Sequence, residues 1–164
     1  MAEELRMWPM SGIDWILEVG TETEKVANRA ALSERLAQLR TNREWNVRLA
    51  QRGEKLAGWQ GTLYRLLGLS TAMDGPSVFV RVAEDQAAVS LLDGDFNETI
   101  VMGPQPSQEP AGAVVFALGD GTTEQRPRAE CIGADEAVSF LLHFFERGTR
   151  PRGFRYKKAG QRSD

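Results

Sequence analysis

Asp93-Gly-Asp-Phe-Asn97 sets side-chain oxygens at alternate positions, as a calcium-binding loop begins. Such a loop needs glycine at its sixth position for a sharp turn and a bidentate glutamate at its twelfth. Those positions hold Glu98 and Pro104, so the stretch reads as a polar turn between strands. Gly119-Asp-Gly-Thr122 has the glycines of a phosphate cradle but lacks a following lysine and a strand-to-helix setting; a hairpin turn explains both glycines. The one histidine, His143, has Ser139 and Arg147 one helical turn away, which are poor metal ligands and give it no orienting partner for proton transfer. It reads as a rim or solvent-facing side chain. The one cysteine, Cys131, stands before Ile132-Gly133 and reads as a small buried filler rather than a nucleophile; alone, it can form no internal disulfide. The expectation is a chain that is not an enzyme and carries no cofactor or metal.

Charge is the stronger signal. Residues 74–146 hold thirteen Asp and Glu against three Arg, whereas 147–164 hold seven Lys and Arg against one Asp, so the net charge of −3 conceals strong segregation. Segregated charge steers association with an oppositely charged partner and does not specify a fold. An acidic middle therefore predicts a protein that binds a basic surface. Asp93, Asp95, Glu98, Asp120 and Glu124 fall on loops or strand ends and are the candidate partner-binding acids, with Phe96 as a candidate apolar anchor. Each acid read singly also suits an ordinary solvated loop. The tail from Arg147 to Lys158 interleaves cations with Phe154 and Tyr156, as nucleic-acid contacts do. The acidic middle argues against a broad phosphate-binding face, so a nucleic-acid partner is disfavoured and the tail reads as a solvated terminus.

The elements that must hold these residues are partly legible. At 164 residues one domain is expected. The polar N-terminus lacks the apolar core of a signal peptide and no apolar run could span a bilayer, so the expected location is the cytoplasm, away from membranes. Asp14 to Val19 predicts a strand ending at Gly20, and Leu32, Leu36 and Leu39 share one face of a helix over 30–39. Trp45, Val47 and Leu49 alternate with polar residues as in a strand, although Trp45 and Leu49 also suit a helix. Residues 52–70 suit a short helix closed by Gly68, and 70–76 a loop. Val78, Val80 and Val82 start a hairpin that turns at Glu84-Asp-Gln86 and returns over 87–92. Residues 103–112 read as a loop, 113–118 as a continuous apolar strand, and 122–130 as its partner, limited by Pro127. The clearest helix runs from Ala134 to Arg147, with Val138, Leu141, Leu142 and Phe145 as its buried stripe, widened by Phe140 and Phe144. Residues 154–156 suggest a last short strand. Of the four tryptophans, Trp8, Trp15, Trp45 and Trp59, most are expected in the core. The sum is an α+β fold, an antiparallel sheet with helices packed mainly on one face.

The Val-rich hairpin strand, Val114-Val-Phe116, the Gly-Asp-Gly turn and the helix opening Ala134-Asp-Glu-Ala137 form a recurring set. Phe144-Phe145 at that helix's close, Gly148-Thr-Arg-Pro151 and an aromatic-bearing last strand complete it. The set resembles the first-numbered Imm family, immunity proteins of bacterial polymorphic toxin systems. The resemblance covers roughly residues 28–50 and 77–157. It implies a single immunity-type domain over 1–164, with 51–76 an insertion; residues 158–164 themselves read as a frayed tail. It also implies a non-enzymatic protein that binds a cognate toxin with a basic active-site face and blocks it. That toxin is often a nucleic-acid deaminase, whose zinc would belong to the toxin. The alternatives are a small ligand-binding α+β domain and a nucleic-acid-binding module using the basic C-terminus.

Overall fold

The computed structural model describes residues 14–55, 72–93, 97–104, 110–118 and 120–160. Helix α1 spans Arg29–Leu39. Asn28 caps it, its Oδ1 accepting from the Ala31 N–H at 2.9 Å. Leu32, Leu36 and Leu39 are its buried face, as their spacing requires. Helix α2 spans Ala134–Arg147. Glu136 folds back to accept from the Gly133 N–H at 2.8 Å, and the Gly148 N–H closes the far end on the Phe144 carbonyl at 2.8 Å.

The buried stripe of α2 is rotated from the expected one. Ala137, Phe140, Leu141 and Phe144 are fully buried, whereas Val138, Leu142 and Phe145 are only half-buried. Aromatic contacts line both parts of the stripe. Trp15 meets Phe144 edge-on at 5.7 Å between ring centroids and also meets the half-buried Phe145 at 5.4 Å, and Phe140 meets Phe154 at 5.4 Å. Rings bury the most area per residue, so they take the centre of the core.

Ten strands complete the described chain: β1 (Asp14–Val19), β2 (Glu22–Val26), β3 (Glu44–Lys55), β4 (Ala72–Ala83), β5 (Gln86–Leu92), β6 (Glu98–Met102), β7 (Ala113–Ala117), β8 (Thr123–Pro127), β9 (Ile132–Gly133) and β10 (Arg155–Lys158). The main sheet runs β10-β6-β5-β4-β3-β1-β2, with β9 paired to β5. Every pair in it is antiparallel, which makes the fold α+β. Register aligns Val47, Val80, Val89 and Val101 across four strands, and all four are buried on the helix side. Among the described residues no helix is long and apolar enough to cross a membrane.

Several boundaries differ from the sequence reading. Residues 52–55 continue β3 instead of opening a helix, and 72–76 belong to β4 instead of a loop; 56–71 lie outside the described residues. Pro76 is tolerated in β4 because the ladder slips there, between the pairs Ala50/Ser77 and Arg52/Asp74. Glycine at 75 eases the close approach of the chains there, since a β-carbon on it would lie 3.1 Å from the Gln51 carbonyl oxygen. The last strand includes Lys158, which pairs with Thr99, so the ordered chain runs past the expected start of fraying; 161–164 lie outside the described residues. Trp15 and Trp45 are buried as expected, and Trp8 and Trp59 lie outside the described residues.

A candidate partner-binding ribbon

Strands β7 and β8 stand apart from the main sheet as a two-stranded ribbon. Their register pairs Ala113 with Pro127, Val115 with Gln125, Phe116 with Glu124 and Ala117 with Thr123. The ribbon lies on the sheet face away from the helices. Three contacts set its direction: Arg126 reaches Glu98 of β6, Glu124 reaches Arg81 of β4, and the Ala117 carbonyl accepts from Asn46 of β3 at 2.6 Å. Its path therefore crosses successive strands.

Alternation gives the ribbon two unlike faces. Val114 and Phe116 point inward to Ala83, Ala88 and Cys131, a small apolar cluster of their own. Beside it runs a chain of charge. Ser90 Oγ donates to Glu98 Oε1 at 2.6 Å, Arg126 Nη2 donates to the same oxygen at 2.9 Å, Arg126 Nε donates to Glu124, and Arg81 Nη1 lies 2.8 Å from Glu124 Oε2. Arg126 is 8% exposed, and its Nη1 has no acceptor among the described residues. Burial pushes the Glu98 carboxyl up, but hydrogen bonds from Ser90 and Arg126 and the charges of Arg126 and Arg81 outweigh it and hold it below the usual range. Farther along the same face, Lys157 Nζ donates to Glu130 at 2.9 Å.

The outward face is uncharged: Ala113, Val115 and Ala117 on β7, and Thr123, Gln125 and Pro127 on β8. Val115 is 54% exposed, the one exposed large hydrophobic among the described residues. The continuous apolar strand expected at 113–118 thus has one buried and one exposed edge. Asp120 stands at the ribbon's turn. Its Oδ1 accepts from the Thr122 hydroxyl and from the Thr122 N–H, the latter at 2.9 Å, and these bonds lower the carboxyl's pKa. Gly121 takes φ 86°, which the turn requires and a side chain would resist.

The six candidates from the sequence separate accordingly. Asp120 is exposed. Asp93 is half-buried and closes the turn between β5 and β6, its Oδ1 accepting from the Asn97 N–H at 2.9 Å. Glu98 and Glu124 are held by arginines under the ribbon. Asp95 and Phe96 lie outside the described residues. Other acids of the middle segment also have internal partners: Asp135 binds Arg40, and Glu146 lies 3.3 Å from Arg29. Sequence reasoning missed Val115 and Arg126. The signal for Val115 was available, because a strand of period two with Phe116 inward must turn Val115 outward.

The other chemically capable residues are quiet. Cys131 is buried, and burial pushes its thiol up to about 11, so it holds its proton at neutral pH. His143 is half-buried on α2. Among the described residues no group of three His, Cys, Asp or Glu could hold a metal ion. No family model matches the chain, and no curated protein matches it.

Proposed function

We propose that this chain is an immunity-type inhibitor, which binds a cognate bacterial toxin and covers its basic, substrate-attracting mouth. The observation that carries the reading is the outward face of the ribbon. Val115 stands exposed among small uncharged side chains, with the anionic Asp120 at the adjoining turn. Protein interfaces have this anatomy, an apolar centre free of charge with polar and charged groups at its edge. In this reading Asp120 steers the approach and Val115 holds the complex once formed.

Glu98 and Glu124 act indirectly, by fixing the ribbon to the sheet through Arg126 and Arg81. A ribbon fixed before binding loses less entropy on docking than a mobile one. The deaminase class of toxin comes from the family resemblance. The experiment is coexpression of this chain with the product of the neighbouring gene, followed by capture through a tag on that product. The expected result is a stable complex that suppresses toxin activity. Failure to co-purify, with toxicity undiminished, contradicts it.

A further inference from the structure

From the end of α2, the loop that follows and edge strand β10, we infer a second binding surface, one that takes the phosphate backbone of a nucleic acid. Arg147, Arg150, Arg152 and Lys158 are exposed there, and none has a carboxylate partner among the described residues. Arg155 belongs to the other face of β10, its Nε donating to the Gly103 carbonyl at 2.9 Å. Elsewhere Arg29, Arg35, Arg40, Arg81 and Arg126 each meet an acid, and the exposed cations with no carboxylate partner among the described residues, Arg43, Arg52 and Arg128, are spread along or beside β3 and just past the end of β8. Arg150 and Lys158 are both tied to Thr99 of β6. The Arg150 guanidinium lies over the Tyr156 ring at 5.3 Å and 3.5 Å from Thr99 Oγ1, and Thr99 is the register partner of Lys158. Like charges gathered on one edge favour an anion there.

The chemistry of the rim selects among anions. Phe154 is packed on Phe140, and the Tyr156 hydroxyl donates to the Pro151 carbonyl at 2.6 Å, so both rings serve the fold and are not offered for base stacking. The surface therefore reads phosphates and is indifferent to sequence. A lipid surface fits less well, because the exposed large apolar side chain among the described residues, Val115, is on the ribbon and the rim has no apolar wedge. The acidic middle segment does not oppose binding as its charge count suggests. Two of its acids have cation partners within the fold, Glu146 with Arg29 and Glu130 with Lys157. This surface does not depend on the role given to the ribbon.

The test is fluorescence anisotropy of the full chain with labelled oligonucleotides, single-stranded and duplex, over about 50–200 mM salt. Binding is expected at the low end, with log affinity falling linearly with log salt. Arg152→Glu with Lys158→Glu is expected to weaken it at least tenfold and to flatten the single-strand slope by about 1.4, the value for two lost phosphate contacts. Thermal melting confirms that the variant folds, and Arg147→Ala with Arg152→Ala provides a second, milder pair. No binding at low salt overturns the inference. So does equal binding by the folded variants, or equal binding of polyglutamate, which would mark a site for acidic proteins instead.

Discussion

Arg126 Nη2 donates to Glu98 Oε1 at 2.9 Å, joining the ribbon to the first residue of β6 across the sheet face that the helices leave open. The same guanidinium binds Glu124 of its own strand, so one buried cation organises two acids. Arg126→Leu removes the cation and leaves those acids facing each other. The expected loss is about 3 kcal/mol of folding stability, measured by urea denaturation. A loss within about 0.5 kcal/mol, as for an ordinary surface change, contradicts this role.

The same seam gives a pH dependence. Glu98 titrates below its ordinary value in the folded chain, so its contribution is present above the unfolded pKa near 4.5 and is lost as pH falls through the lower folded value. Glu98→Gln removes that contribution. The wild-type chain is expected to be the more stable at pH 7, and the gap to close under acid. A gap that is constant with pH, in melts run from pH 7 to about pH 3, rules out the linkage.

Core and ribbon differ in cost. Phe144 is fully buried and meets Trp15 at 5.7 Å, so Phe144→Ala is expected to destabilise by about 3–5 kcal/mol. Val115→Ala, on the outward face, is expected to change stability by less than about 0.5 kcal/mol. Denaturant midpoints of the two variants check both numbers.

Cys131 gives a readout of local opening. With the thiol pushed up to about 11 and packed against Val114 and Phe116, thiol-specific reagents are expected to react slowly at pH 8 in the native chain and fast in denaturant. Prompt native reaction at pH 8 indicates that the ribbon lifts readily. Arg126→Leu is expected to hasten the reaction.

The central hairpin, both helices and the ribbon turn were legible in sequence because each has a local signal: Val78, Val80 and Val82 at period two, Leu32, Leu36 and Leu39 at helical spacing, and Asp-Gly at a turn. Strand β2 was not, since Glu22-Thr-Glu-Lys25 is exposed throughout and its pairing with β1 comes from the backbone. Strand β6 was missed because its buried run, Thr99 to Val101, is too short for a period. The placement of the acids was the largest gap. Summing charge over a segment assumes solvated side chains, but Arg126 meets Glu98 from 28 residues away and Arg40 meets Asp135 from 95. Such pairings are set by topology and leave no local trace. They place Glu98 and Glu124 under the ribbon, while Glu84, Asp85 and Asp120 stay exposed at turns and Asp135, Glu136 and Glu146 on α2.

In the proposed function the ribbon's outward face is the docking surface. The kinetics of complex formation with a toxin captured by coexpression decide it, for the wild-type chain, Val115→Arg and Asp120→Lys. Val115→Arg is expected to speed dissociation by at least tenfold, and Asp120→Lys to slow association with a weakened salt dependence, while both melt like the wild type. Unchanged rate constants for both folded variants would contradict the claim.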